Sequence, residues 1–91
     1  FKGIEGESLV LLLDQQGICA STGSACTSHS LLPSHVLLAT GQTCEMAASA
    51  LRLSLNKNNT QADVDEVLRV TPRLVKELRE KRAARFFRSQ I

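Results

Sequence analysis

Tryptophan and tyrosine are absent, and three phenylalanines are the chain's whole aromatic content. That speaks against a platform for stacking the bases of single-stranded nucleic acid. Charge of one sign is equally scarce: eleven Lys and Arg against nine Asp and Glu leave a net +2, too little to argue for DNA binding by itself. No apolar run approaches the ~20 residues of a membrane helix, and no signal peptide is visible, so no membrane partner is expected. Cysteines are too few for a secreted disulfide framework. The three are an odd count, spaced seven and eighteen apart, and point to a reducing compartment, read as the cytoplasm. With Phe1 in place of an initiating Met, the chain reads as a fragment of something longer. Ninety-one residues suffice for one small domain with one core, spanning 1–91.

Large apolar side chains are missing from one further place, Ser21-Thr22-Gly23-Ser24-Ala25-Cys26-Thr27-Ser28-His29-Ser30. Glycine opens backbone conformations closed to other residues, and Ser and Thr bond to local backbone in competition with regular structure. Residues 21–32 therefore read as an exposed, mobile loop that carries the thiol of Cys26. Cys19, beside Ile18 and Ala20, and Cys44 read instead as packing residues.

Around this loop the chain divides into short elements. Leu9 to Leu13 is apolar without a break, and four leucines against one β-branched residue favour a buried helix over 7–16. Glu5 and Glu7 suit its positive start, and Gly17 suits the position after its last turn. Residues 18–21 read as a short strand leading into the loop. Pro33 ends the loop, and a helix of about two turns follows, closed by Gly41. If Pro33 is its first residue, the capping position falls on Leu32, which has no side-chain oxygen. Residues 45–50 form a brief Ala-rich turn or helix. Leu51-Arg52-Leu53-Ser54-Leu55 alternates strictly and predicts a half-buried strand with Arg52 and Ser54 on one face. Thr60-Gln61-Ala62-Asp63 is close to a capping box and opens a long C-terminal helix over 60–82. Its apolar stripe, Val64, Val67, Leu68, Leu74, Val75 and Leu78, stays in phase across Pro72, which predicts one kinked helix. The fold class expected is α+β, a short antiparallel sheet with helices packed on one face.

Four blocks stand in one order: Glu5-Gly6-Glu7-Ser8-Leu9, residues 17–26 ending in Gly23-Ser24-Ala25-Cys26, Pro33-Ser34-His35-Val36-Leu37, and Leu51-Arg52-Leu53-Ser54-Leu55. Together they resemble the C-terminal small domain of class I cysteine desulfurases, within the class V aminotransferase family of fold-type I pyridoxal phosphate enzymes. The resemblance runs from about Phe1 to Arg79. It implies a catalytic Cys26, whose thiolate takes sulfur from L-cysteine bound to pyridoxal phosphate, forms a persulfide and releases alanine. It implies that Arg52 binds the substrate carboxylate, a task suited to a planar guanidinium with paired donors. It implies partners: a sulfur acceptor or iron–sulfur scaffold protein, with Cys26 as a transient shared cluster ligand, and a homodimer through the full-length enzyme. The resemblance implies that the cofactor's lysine belongs to a large domain not represented here, so the 91 residues alone are expected to be inactive and not to bind the cofactor firmly. Leu32, His35 and Asn56 depart from the family pattern, as does the stretch 42–49. The long spacing from Cys26 to Pro33 resembles the subgroup whose loop swings toward a scaffold.

Four other readings stand beside this one. His29, three residues after Cys26, could lower its pKa. Cys19, Cys26, His29, His35 and Cys44 could make a structural metal site, although zinc sites usually show paired close ligands at both ends. A relative that kept the fold as a binding module would tolerate loss of Cys26. The basic run Lys76, Arg79, Lys81, Arg82, Arg85 and Arg88 reads as a solvated helix end before it reads as a partner surface.

Overall fold

The structure, a computed structural model, describes residues 1–22 and 34–90, the last five by backbone alone. Four helices form among them: α1 (Gly6–Gln15), α2 (His35–Ala39), α3 (Cys44–Ala48) and α4 (Gln61–Gln90). No helix of the described residues is long and apolar enough to cross a membrane.

The helix boundaries follow from local chemistry. α1 ends in a Schellman motif: the Gly17 amide donates to the Asp14 carbonyl and the Ile18 amide to that of Leu13, both at 2.9 Å. Gly17 sits at φ +80°, a conformation that costs other residues about 1–2 kcal/mol. α2 closes the same way, with Gly41 donating to Leu38 and Gln42 to Leu37. Its N-cap is Ser34, one residue beyond Pro33. At α3 the Thr43 hydroxyl accepts from the Met46 amide at 3.1 Å.

α4 opens on a reciprocal capping box. The Asp63 amide donates to Thr60 Oγ1 at 3.3 Å, and the Thr60 amide donates to Asp63 Oδ2 at 2.9 Å. That backbone bond, then one from Asn59, holds the Asp63 carboxyl below the usual aspartate range. One turn on, Arg69 bonds Glu66 at 2.7 Å and lowers its carboxyl too. Both groups are more acidic folded than unfolded, so their stabilisation is complete above the unfolded values and is lost as pH falls through the folded ones. The start of α4 is therefore expected to fray below about pH 4. Helical circular dichroism against pH checks this. Asp63→Asn should flatten the acid limb, and an unchanged limb would place the titration elsewhere.

The core lies between α1 and α4. Leu9 and Leu13, one turn apart, are fully buried against Val70, Leu74 and Val75, with Ile4 beside them. Burying a side chain of this size contributes about 1.5–3 kcal/mol. Leu12, Ile18, Ala20, Leu51 and Leu78 pack around this cluster. α4 runs unbroken through Pro72 and on past residue 82. Its buried face is rotated from the expected stripe: Val70 and Thr71 are buried, whereas Leu68 is 67% exposed. Val70, Leu74 and Val75 cluster with Leu9 and Leu13 of α1, and Leu78 packs beside them. Thr71 Oγ1 lies buried with no hydrogen-bond partner among the described residues.

The expected antiparallel sheet does not form among the described residues. Among the described residues there is no strand, only one antiparallel bridge between Ser21 and Arg52. The alternation over 51–55 misled because burial does not follow it: Leu51 packs on the core, but Leu53 and Leu55 are 49% and 77% exposed. With one opposing segment paired at one position, no ladder propagates. The α+β reading thus gives way to a helical arrangement with two short extended segments tied at a single point.

Candidate functional site

Those two segments build the site. In residues 18–21, Ile18 and Ala20 pack toward the core while Cys19 between them is exposed. Leu51 anchors the second segment from the other side. Ser21 and Arg52 then meet beyond the core. The Ser21 amide donates to the Arg52 carbonyl at 3.1 Å, and the Arg52 amide returns a bond to the Ser21 carbonyl at 2.6 Å. A third bond joins the side chains, Arg52 Nε donating to Ser21 Oγ at 3.0 Å.

Arg52, predicted as the carboxylate-binding residue, is exposed and held at both its backbone and its guanidinium. Its partner Ser21 is the first residue of the segment read as the thiol loop. Sequence reasoning missed this pairing. The available signal was the alternation of 18–21, which puts Ser21 on the side opposite Ile18 and Ala20. Cys26, His29, Leu32 and Pro33 lie outside the described residues.

Cys19 and Cys44, expected as packing residues, are both exposed free thiols. Cys19 stands on the outward side of its segment, and Cys44 is the first residue of α3. His35 opens α2 and is exposed. Among the described residues, no three His, Cys, Asp or Glu side chains gather where one metal ion could bind them.

The lysines bear on the cofactor that the resemblance implies. Lys2, Lys57, Lys76 and Lys81 are all exposed, and Lys81 pairs with Glu77 at 3.0 Å. A lysine that forms a Schiff base is activated by desolvation or by a neighbouring cation, and none of the four is enclosed in that way. The described residues therefore do not fit pyridoxal phosphate as its holder. What they present is a fixed guanidinium beside the root of the Cys26 segment, a group suited to a carboxylate.

Comparison with known proteins defines the class. The model of the class V aminotransferase family matches residues 1–67, and the chain belongs to that family. The resemblance carried by the four sequence blocks is confirmed at this level. Within it, the chain is 60% identical over 79 residues to cysteine desulfurase IscS of Methanosarcina thermophila, covering 87% of this chain and 20% of that protein. It is 58% identical over 80 residues to cysteine desulfurase IscS of Clostridium botulinum, covering 88% and 20%. A cysteine desulfurase of Sinorhizobium fredii is 51% identical over 82 residues, covering 90% and 21%. The chain spans about a fifth of the length of these relatives.

Proposed function

We propose that this chain is the sulfur-accepting part of a pyridoxal phosphate-dependent cysteine desulfurase. The observation that carries the reading is identity of 51–60% along nearly the whole chain with proteins named cysteine desulfurase. The Ser21–Arg52 tie supports it by fixing the one arginine that the family pattern assigns to substrate.

Pyridoxal phosphate, held by residues outside these 91, would supply an electron sink that makes the substrate sulfur electrophilic. The chain's own part begins at Arg52, whose guanidinium takes the L-cysteine carboxylate through paired, charge-assisted hydrogen bonds. The Cys26 thiolate attacks the substrate sulfur. A sulfur–sulfur bond forms, the carbon–sulfur bond breaks, and its electron pair is protonated at carbon to release alanine. No external oxidant is consumed, because the transferred sulfur leaves at the zero-valent level. Residues 21–32 act as the loop that carries the persulfide from the substrate to an acceptor. That acceptor is a sulfur-carrier or iron–sulfur scaffold protein, where Cys26 serves as a transient shared ligand to a cluster under assembly. The full-length enzyme is proposed to act as a homodimer in the cytoplasm.

A chimera tests this reading. This chain replaces the matching fifth of the Methanosarcina thermophila desulfurase, and alanine release from L-cysteine is measured with a reductant present. Turnover is expected. A folded chimera that holds the cofactor and releases no alanine would overturn the reading.

A further inference from the structure

Arginine can grip a carboxylate along its Nε–Nη side or across its two terminal Nη nitrogens. In this chain the first option is already committed, since Nε–H donates to Ser21 Oγ at 3.0 Å. The Ser21 hydroxyl is not placed there by a wandering loop. Its backbone exchanges both hydrogen bonds with Arg52, and Ala20 beside it packs on the core. Three bonds between two residues thus fix both the position and the rotation of the guanidinium. A free arginine side chain carries about 2 kcal/mol of rotamer entropy, which is lost on binding unless something else has already ordered the group.

We propose that Ser21 is a positioning residue for the substrate carboxylate: it holds the Arg52 guanidinium by Nε and presents the two Nη nitrogens, end-on, to the ligand. The inference rests on the assignment of Arg52 to the substrate carboxylate. It assigns Ser21 a role separate from that of the Cys26 thiol. Loss of the hydroxyl frees Nε and lets the guanidinium rotate, so each carboxylate pays the ordering cost anew. Threonine keeps the hydroxyl and is expected to keep the function.

The test uses the chimeric holoenzyme and L-alanine, which has the carboxylate and no sulfur. Its dissociation constant is read from the cofactor's absorbance, independently of turnover. Ser21→Ala is expected to weaken L-alanine by about 3- to 10-fold, the worth of one ordinary hydrogen bond. Ser21→Thr should restore the affinity. In an Arg52→Lys background, which has no Nε, Ser21→Ala should add nothing further. KM for L-cysteine should rise with the dissociation constant, more than kcat falls. If Arg52→Ala weakens L-alanine and Ser21→Ala does not, the positioning role is overturned and the Arg52 assignment stands. If Arg52→Ala leaves the affinity unchanged, both are overturned.

Discussion

Cys26→Ser in the chimera is expected to cut alanine release from L-cysteine by roughly 10³-fold or more, as loss of a catalytic nucleophile does. Serine matches cysteine closely in size, so the fold and the affinity for L-alanine should persist. Its hydroxyl is not ionised at neutral pH, and its oxygen cannot carry sulfur as a persulfide. The control matters because the molecule offers other thiols. Cys19 and Cys44 are exposed, so exposure alone does not single out the nucleophile. The two differ in setting from Cys26. Cys19 lies on a segment pinned to the core by Ile18 and Ala20, and Cys44 begins a five-residue helix. Neither stands in a glycine- and serine-rich stretch of sequence, so Cys19→Ser and Cys44→Ser should leave turnover near the parent level. Strong loss in either variant, with Cys26→Ser active, would move the chemistry to another thiol.

Gly6→Ala is expected to lower the thermal midpoint by roughly 10 °C, the equivalent of about 1–3 kcal/mol in a domain of this size. Helix propensity alone predicts the opposite sign, since alanine is favoured over glycine by about 1 kcal/mol inside a helix. Sterics decide the outcome. Gly6 is buried at the start of α1, and a Cβ there would collide with the Ala50 carbonyl oxygen and stand 3.1 Å from that of Ala48. Both obstacles are backbone atoms, so no rotamer change relieves the clash. The end of α3 would have to move, and with it the fully buried Ser49, whose hydroxyl donates to the Met46 carbonyl at 2.8 Å. Gly17→Ala gives the comparison: nothing lies within 4 Å of its new methyl, and only the positive φ is strained. Its loss should be smaller. Thermal unfolding followed by circular dichroism ranks the two, and a stabilised Gly6→Ala protein would refute the close approach of α1 to α3.

Where the sequence was read correctly, the physics was local. Gly17 and Gly41 end helices because the turn beyond each needs a positive φ, and the Thr60–Asp63 box needs residues three apart. Errors arose where the answer depended on a distant surface. The alternation over 51–55 is real, yet a strand needs a neighbour to pair with and a core to face. Among the described residues, only Leu51 has the second, and only Arg52 the first. On α4 the apolar residues are too sparse to set the phase without Val70 and Thr71, and α1 selects the face that includes them. Cys19 is exposed despite its apolar neighbours Ile18 and Ala20, because adjacent residues in an extended segment point to opposite sides. In the candidate site, Arg52 is proposed from the family pattern, whereas its tie to Ser21, thirty-one residues away, required the fold.

The central claim is that sulfur leaves L-cysteine onto Cys26, and mass spectrometry of the chimera after reaction with L-cysteine tests it most directly. A gain of one sulfur atom, located on the peptide that contains Cys26, removed by reductant and absent from Cys26→Ser, is the expected result. Sulfur on the Cys19 or Cys44 peptide, or no gain in a chimera that holds the cofactor and binds L-alanine, would contradict it.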